Sequence, residues 1–381
     1  MTAQRALFLS GSFGKGHDTL AEACAAALVP FGVESKIVDC MPMLGKGPGA
    51  VGDWVFRKIL SLTPVYDAFH FSQLRGDGPV GRFADRAAVK VMLPQLREEV
   101  DRFNPDVVVS VFATGASAAV HLKDDRPGLA TLVFITDSFA HRMWVHEGTD
   151  LFLVTSELAA ASVRRYWPQA RVEVVNAPVR SAFYDAPEQR VAREALGIPA
   201  DDRCVLLMSG AWGIGPLDEV ARALAGAGYW VLAVAGTNVE LLGRLRALAD
   251  SQPRIVPFAF TDRVPELMSA ADVIVTSSGD TCREARVIGR GLVLLDVVPG
   301  HGRENVMHEL ELGDAAVCSP TTASVVGSVE TFLATHPARP GGPTTSGAAW
   351  DGEFVAALGR AGVNLAPRRG EPGAASERLA P

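Results

Sequence analysis

Twice along the chain, short apolar runs alternate with stretches rich in alanine, leucine and arginine. A short, continuous apolar run is typical of a strand that is buried on both faces, as in a parallel sheet covered by helices. The alternation therefore predicts an α/β protein with two such sheets. The predicted strands are 6–9, 35–38, 107–111, 132–135, 151–154 and 172–175 in the first half, and 204–208, 230–235, 254–256, 273–275 and 292–295 in the second.

The segment between the two halves, 176–190, contains two prolines and is typical of an interdomain connection. A chain of 381 residues also exceeds what one ordinary hydrophobic core holds. We therefore expect two α/β domains, an N-terminal one over 1–178 and a C-terminal one over 179–335. The remainder, 336–381, is expected to be a Pro/Gly-rich linker, a helix near 348–358 and a disordered tail.

Charge, cysteine content and hydropathy argue against several classes of protein. A formal net charge of -7 argues against a nucleic-acid partner. The five cysteines are scattered and form no CxxC pair, which favours a reduced, cytoplasmic protein. The N-terminus lacks the apolar stretch of a signal peptide, and no run reaches the roughly 18 to 20 apolar residues of a transmembrane helix. Any membrane contact is therefore expected to be peripheral.

A glycine-rich turn, "SGSFGKGHDTLAEA", follows the first predicted strand. Gly11, Gly14 and Gly16 are expected to adopt positive φ and to leave room for a ligand. Thr19 and Glu22 have the spacing of a capping box at the start of the next helix. The turn therefore predicts a helix N-terminus at the carboxyl end of a strand, where open α/β sheets bind ligands and free N–H groups favour negative charge.

His17 lies at the edge of this predicted anion site. The spacing of the glycines matches neither the dinucleotide fingerprint nor the phosphate loop that ends in Gly-Lys-Ser/Thr. From the residues alone, a catalytic histidine and a surface histidine that stabilises the turn remain equal alternatives.

Similar turns follow two strands of the second half, and their small residues would let a diphosphate approach the backbone. For the turn after 204–208, a plain βα turn is the alternative. Glu284 could accept hydrogen bonds from a ribose or be an exposed helix carboxylate. A polar loop after the last predicted strand suits a ligand rich in hydroxyls. The candidate residues are Gly210, Ala211 and Gly213 in the first turn, Gly279, Asp280 and Thr281 in the second, and His301, Glu304 and Asn305 in the loop.

In the first half, "ITDSFAHRMWVHEGTD" places Asp137, His141, Trp144 and His146 just after a strand. The spacing is not that of a known zinc motif, so we expect no metal. An acceptor site and an interdomain hydrogen-bonding loop remain equal alternatives.

The segment 54–71, which includes Trp54 and Phe56, is rich in large apolar residues. It is compatible with a buried helix and turn, or with an amphipathic lid that contacts lipid.

The motifs "GKGHDTLAEA", "PDVVVS", "ITDSFAHRMWVHEGTD", "APVR", "LLMSGAWGIGP", "FTDRVPELMSAADVIVT", "REARVIG" and "VPGHGREN" occur in an order and at spacings that resemble the diacylglycerol glycosyltransferases. These include the plant-type monogalactosyldiacylglycerol synthases and the bacterial processive diacylglycerol glucosyltransferases. The chain is more distantly similar to the N-acetylglucosaminyltransferase that completes the peptidoglycan lipid precursor. The similarity covers roughly 5–320 and implies the GT-B architecture, in which two Rossmann-like domains face each other across a cleft.

The resemblance also implies roles for individual residues, with the acceptor on the N-terminal domain and the UDP-sugar on the C-terminal one. His17 would help to deprotonate the acceptor hydroxyl, and Arg180 would contact the donor diphosphate. The other implied donor contacts are Gly210, Ala211 and Gly213 with phosphate, Phe260 and Thr261 with uracil, and Glu284 with ribose.

Three departures from the family pattern bear on the donor. His301 and Gly302 stand where the lipid enzymes have the Gln and Glu expected near the hexose. The loop 277–281 is one residue shorter, and Gly291 replaces the usual proline. The identity of the transferred sugar therefore stays open.

From the residues and the resemblance together, we expect an inverting transfer of a hexose from a UDP-sugar to a diacylglycerol-type lipid at the inner face of the cell membrane. His17, or Asp137 with His141, would receive the proton of the hydroxyl. Arg180 and helix N-termini would stabilise the departing diphosphate, so no divalent cation or other cofactor is expected. The alternatives are a soluble or natural-product acceptor, a UDP-sugar 2-epimerase, and a UDP-sugar-binding protein that has lost catalysis.

Overall fold

The computed structural model describes residues 4–12, 16–44, 70–75, 78–298, 300–336, 343–363 and 365. Within them, two sheets of six parallel strands are interleaved with helices, so the expected GT-B architecture is confirmed. The first sheet and its helices are β1 (Arg5–Ser10), α1 (Gly16–Leu28), β2 (Glu34–Asp39), α2 (Pro79–Phe103), β3 (Val107–Ser110), α3 (Ala113–Leu122), β4 (Ala130–Ile135), β5 (Leu151–Val154), α4 (Glu157–Tyr166) and β6 (Val172–Val174).

The second sheet has the same βα alternation. Its elements are α5 (Gln189–Leu196), β7 (Cys204–Met208), α6 (Leu217–Gly226), β8 (Trp230–Val234), α7 (Val239–Ala249), β9 (Ile255–Phe258), α8 (Val264–Ala270), β10 (Val273–Thr276), α9 (Asp280–Ile288), β11 (Gly291–Leu295), α10 (His301–Leu312), β12 (Ala315–Cys318) and α11 (Thr322–Thr335). A last helix, α12 (Gly347–Arg360), follows. No helix among these residues is both long enough and apolar enough to cross a membrane.

The strand order places a topological switch point in each sheet. The orders are β2-β1-β3-β4-β5-β6 and β12-β11-β10-β7-β8-β9. The chain therefore runs in opposite directions from β1 and from β7, and a crevice opens beyond the carboxyl ends of β1 and β3 and of β7 and β10. Ligands of open α/β sheets bind in such crevices.

Both faces of each sheet are buried, which explains why the strands are continuous apolar runs. In β7, Cys204 and Leu206 pack into one hydrophobic cluster, while Val205 and Leu207 pack into a second cluster on the opposite face. The sequence did not predict β12, an edge strand whose residues Ala315–Cys318 are mostly half-buried or exposed. Alanine is also depleted in strands, so this segment carries little strand signal.

The first glycine-rich turn differs in detail from the expectation. Helix α1 begins at Gly16, so Thr19 and Glu22 lie inside the helix and the predicted capping box is wrong. Asp18 lies in the first turn instead and accepts a hydrogen bond of 2.6 Å from the Ser10 hydroxyl. Its negative charge is stabilised by the positive end of the helix.

Gly11 and Gly16 do not have positive φ, and they are required for a different reason. A Cβ on Gly11 would lie 2.6 Å from the Phe112 ring, and a Cβ on Gly16 would lie 2.6 Å from the Asp280 carboxylate of the other domain. Both glycines therefore allow a neighbouring side chain to approach closely, as expected. The positive φ that was expected for them is wrong. Gly14 lies outside the described residues.

The helix expected near 348–358 is α12, and it returns to the first domain. Phe354, Ala357 and Leu358 belong to the hydrophobic core under the first sheet, where the Phe354 ring stacks on Phe134 with centroids 5.8 Å apart. The Trp350 indole N–H donates a 2.9 Å hydrogen bond to the carbonyl of Ala177. The proposed linker at 337–342 and the tail beyond 365 lie outside the described residues.

Candidate functional site

A cavity of about 610 Å³ lies where the switch points of the two sheets face each other. It is lined from both domains, and many of the predicted site residues meet there. The predicted residues that line it are Gly16, His17, Asp137, Arg180, Gly210, Ala211, Phe260, Thr261, Gly279, Asp280, Thr281, Glu284, His301 and Asn305.

Several other candidates lie away from this lining, each for a structural reason. His141, Trp144, His146, Gly213 and Glu304 do not line the cavity. Trp54 and Phe56, and most of the segment proposed as a lid, fall outside the described residues.

On the C-terminal side, Arg180 and Glu284 form a partly buried ion pair. A guanidinium nitrogen of Arg180 lies 3.4 Å from a carboxylate oxygen of Glu284. Glu284 is only 7% exposed, so the alternative of an exposed helix carboxylate is wrong. Burial raises the pKa of Glu284 to about 7, and the charge of Arg180 opposes this rise. The carboxyl can therefore change its protonation near neutral pH.

Two glycines of the turn after β7 differ in function. Gly210 has a φ of 58° and no atom near the position of a Cβ, so its backbone faces the open cavity. A Cβ on Gly213 would lie 2.5 Å from the carbonyl oxygen of Ala235, and its φ is 57°. Gly213 is therefore needed for backbone packing against the end of β8, and its expected phosphate contact stays a prediction.

On the N-terminal side, aromatic rings surround His17 and Asp137. The His17 ring packs edge-on against Phe112 at 5.4 Å and lies 6.3 Å from Trp144. The indole N–H of Trp144 donates a 3.2 Å hydrogen bond to Asp137. Trp144 is buried, so in this structure it orients Asp137 and is not exposed to an acceptor.

The two histidines of the loop after β4, His141 and His146, lie in different surroundings. The His141 ring lies 6.0 Å from Trp144, and burial lowers its pKa to about 4 although Asp137 opposes this change. His146 contacts the Met143 carbonyl at 2.8 Å and lines a separate cavity of about 340 Å³ together with Asp85. The expected acceptor role of His146 therefore has no support from the main cavity.

Residues that sequence reasoning missed also line the main cavity. Trp350 reaches it from α12, a helix that follows the second domain in sequence, so no spacing signal connects it with the cleft. Trp212 and Ser277 also line it, between or beside glycines that were singled out. The hydroxyl of Ser209 donates to that of Ser277 at 3.1 Å, which joins the loops after β7 and β10.

The described residues contain no group of three or more His, Cys, Asp or Glu side chains with an arrangement suited to a metal ion.

The fold and the interdomain cleft define the class as two-domain proteins of GT-B architecture. Among solved structures, the chain is similar to MurG of Acinetobacter baumannii, with a TM-score of 0.56 and 14% identity over 87% of this chain and 91% of that one. A UDP-GlcNAc 2-epimerase of Neisseria meningitidis bound to UDP-GlcNAc gives the same TM-score of 0.56, with 13% identity over 93% of this chain and 100% of that one. At these identities the likeness shows the fold alone.

Within that class, the resemblance to the diacylglycerol glycosyltransferases is confirmed. The model of the monogalactosyldiacylglycerol (MGDG) synthase family matches residues 19–179. The chain is 24% identical to the processive diacylglycerol beta-glucosyltransferase of Bacillus subtilis over 344 residues, which are 87% of this chain and 88% of that one. It is 27% identical to the chloroplastic monogalactosyldiacylglycerol synthase of Spinacia oleracea over 337 residues, 81% of this chain and 62% of that one.

The plant relatives are longer than the region they share with this chain. The matched region spans 43% of the probable synthase of Glycine max, which is 29% identical over 229 residues and 56% of this chain. The chain thus spans about half the length of the plant relatives it matches.

Proposed function

We propose that the protein is an inverting glycosyltransferase that moves a hexose from a UDP-sugar to the hydroxyl of a diacylglycerol-type lipid. The observation that carries the proposal is the shared cavity, in which His17 of one domain faces Arg180 and Glu284 of the other. The sequence similarity to the diacylglycerol glycosyltransferases supports the choice of acceptor.

The C-terminal wall of the cavity has the groups that a nucleoside diphosphate requires. Gly210 and Gly279 expose backbone at the ends of β7 and β10, and the N-terminus of α9 supplies a positive dipole for the phosphates. Arg180 adds a full positive charge beside them. Glu284 lines the same wall and would accept from ribose hydroxyls, and Phe260 and Thr261 line it as the uracil contacts that the resemblance implies.

In the proposed reaction, the lipid hydroxyl attacks the anomeric carbon from the face opposite the diphosphate. The carbon–oxygen bond to the diphosphate breaks, and UDP leaves with the bonding electrons. The hydroxyl proton passes to His17, which lines the cavity, whereas His141 of the alternative pair does not. Arg180 and the helix dipole stabilise the charge that accumulates on the diphosphate.

Helix α2 offers a surface that suits a lipid bilayer. Val80, Phe83 and Val91 are exposed by 57%, 75% and 51%, although they are large and apolar. Arg86 and Lys90 are exposed on the same helix. Apolar side chains with neighbouring cations are typical of surfaces that bind the interface of anionic membranes. We therefore propose peripheral attachment at the inner face of the cell membrane, which would bring the lipid acceptor to the cleft.

A transfer assay tests the proposed function. The protein is incubated with vesicles that contain diacylglycerol and with UDP-glucose, UDP-galactose or UDP-N-acetylglucosamine, with EDTA present. We expect one donor to give a glycolipid and an equal amount of UDP, with inverted anomeric configuration. Interconversion of a UDP-sugar with its 2-epimer in the absence of lipid would instead indicate an epimerase. UDP binding without transfer to lipid or soluble acceptors would indicate a protein that has lost catalysis.

The affinity for UDP is expected to rise as the pH increases through about 7, the pKa of Glu284. Ribose hydroxyls donate more strongly to a carboxylate than to the neutral acid. In Glu284→Gln the affinity should be about 10-fold weaker at high pH, and only the pH dependence that comes from the terminal phosphate of UDP, whose second pKa is about 6, should remain. Titration calorimetry at several pH values measures this, with Asp218→Asn as the control, because this half-buried carboxylate pairs with Arg244 and does not line the cavity. The same pH dependence in both variants would contradict the role of Glu284.

The same substitution should change stability in a defined direction. Because the pKa of Glu284 in the folded protein lies above its ordinary value of 4.5, folding takes up a proton between these two pH values. The free energy of unfolding of the native protein therefore decreases as the pH rises from 4.5 towards 7. In Glu284→Gln, the part of this decrease that comes from Glu284 should be absent.

A further inference from the structure

A single carboxylate of the C-terminal domain is held by two side chains of the N-terminal domain. One oxygen of Glu304 lies 3.0 Å from Nε2 of His70, and the other accepts a 2.9 Å hydrogen bond from Nε of Arg75. The three side chains are 13%, 2% and 14% exposed, respectively. Beside them, the backbone N–H of Ser138 donates to the Asn305 side chain at 2.9 Å. The first turn of α10 is therefore anchored to the opposite domain.

The N-terminal domain holds Arg75 in place independently of Glu304. Its guanidinium donates a 2.7 Å hydrogen bond to the carbonyl of Ala140 and lies 4.8 Å from the centre of the Phe139 ring. Its own carbonyl accepts a 2.6 Å hydrogen bond from the Tyr166 hydroxyl. Because the Arg75 guanidinium is already ordered, it loses little further side-chain entropy when Glu304 binds to it. This favours a specific contact over a loose surface ion pair.

We infer that Glu304, His70 and Arg75 form an interdomain clamp that closes the cleft and positions His301 within it. His301 precedes Glu304 by one helical turn on α10 and lines the cavity with His17 and Asp137. Its ring lies 6.2 Å from that of His70. The catalytic consequence rests on the proposed function, whereas the clamp itself does not.

The clamp gives Glu304 a different role from the donor contact that its position in the polar loop suggested. Its carboxylate contacts the other domain, and the residue does not line the cavity. His301 faces the cavity instead, and burial lowers its pKa, with Asp137 opposing the change. A neutral imidazole at this position can donate to one hydroxyl and accept from another. The clamp therefore sets how the hexose would meet His301, and it makes Glu304 and Arg75 positioning residues.

Charge exchange across the interface tests the clamp. The variants are Arg75→Glu, Glu304→Arg and the double exchange, with Asp218→Asn, which breaks an ion pair within the C-terminal domain, as the control. Each single variant places like charges together, so we expect a larger radius of gyration of the ligand-free protein by small-angle X-ray scattering. The double exchange should restore the compact value, because His70 can accept from a guanidinium in its other tautomer. Circular dichroism verifies that each variant is folded.

Kinetics supply the second readout. In the single variants we expect kcat for transfer to fall on the order of 10-fold, with the affinity for UDP unchanged, and the double exchange should recover most of kcat. Single variants as compact as the native protein, or a double exchange that stays open, would overturn the clamp. An absence of transfer by the native protein, with the scattering changes as expected, would refute the proposed function and leave the clamp standing.

Discussion

Replacing His17 by alanine is expected to lower kcat of hexose transfer by about 10²- to 10⁴-fold, the usual contribution of a general base. The affinity for UDP should change little, because the diphosphate and ribose groups proposed to bind it belong to the C-terminal wall of the cavity. Single-turnover kinetics and calorimetry with UDP measure the two effects separately. The His17 ring is fixed by its edge contact with Phe112, so the substitution removes a positioned group from the cleft.

His146→Ala is the matched control for this prediction. That histidine comes from the same domain and is also partly buried, but it lines the separate cavity beside Asp85. Its removal should leave kcat within about twofold of the native value, as is usual away from reacting groups. Equal losses of turnover in both variants, or an equal loss of turnover and UDP affinity in His17→Ala, would remove the assignment of His17 as the base.

Replacing Arg180 by alanine is expected to lower kcat by about 10²- to 10³-fold and also to weaken UDP binding. The guanidinium is the side chain that faces both Glu284 and the proposed diphosphate position, and it is one-third exposed to the cavity. Arg180→Lys should recover part of the binding but less of the turnover, because an ammonium group lacks the paired donors of a guanidinium.

The pH dependence gives this prediction a second readout. The charge of Arg180 lowers the pKa of Glu284 against the effect of burial. Without Arg180, Glu284 should stay protonated to a higher pH. The pH at which the UDP affinity rises should therefore also be higher. Arg244→Ala removes an exposed arginine that pairs with Asp218 and serves as the control. Unchanged UDP affinity and turnover in Arg180→Ala would exclude the proposed diphosphate contact.

The sheets were predictable from the sequence because parallel strands buried on both faces are continuous apolar runs. Leu151–Val154 and Cys204–Met208 have the predicted bounds. The edge strand Ala315–Cys318 was missed, since half of its environment is solvent and its residues carry no strong strand preference. The other three edge strands, β2, β6 and β9, were predicted, so the weak strand preference of 315–318 and not the edge position alone explains the miss.

The site was predictable where backbone turns form it and less so where distant segments meet. The turns that contain Gly210 and Gly279 line the cavity as expected, because the ends of parallel strands converge at one edge. The contact of His70 with Glu304 joins residues that are 234 positions apart, and no local spacing indicates it. The capping box was misread because Thr19 and Glu22 lie inside the helix, which the structure describes from Gly16.

The return of α12 to the first domain determines how the two lobes can move. The backbone crosses from one lobe to the other near Ala177, and it crosses back between α11 and α12. These crossings are adjacent, since Trp350 bonds to the carbonyl of Ala177 and Asp351 accepts a 2.5 Å hydrogen bond from the Tyr184 hydroxyl. Because the two connections lie side by side, a rotation of one domain relative to the other would use this edge as its hinge, once the contacts across the cleft are broken. The contact of His70 with Glu304 involves other segments than these two crossings, so such a rotation would have to break it.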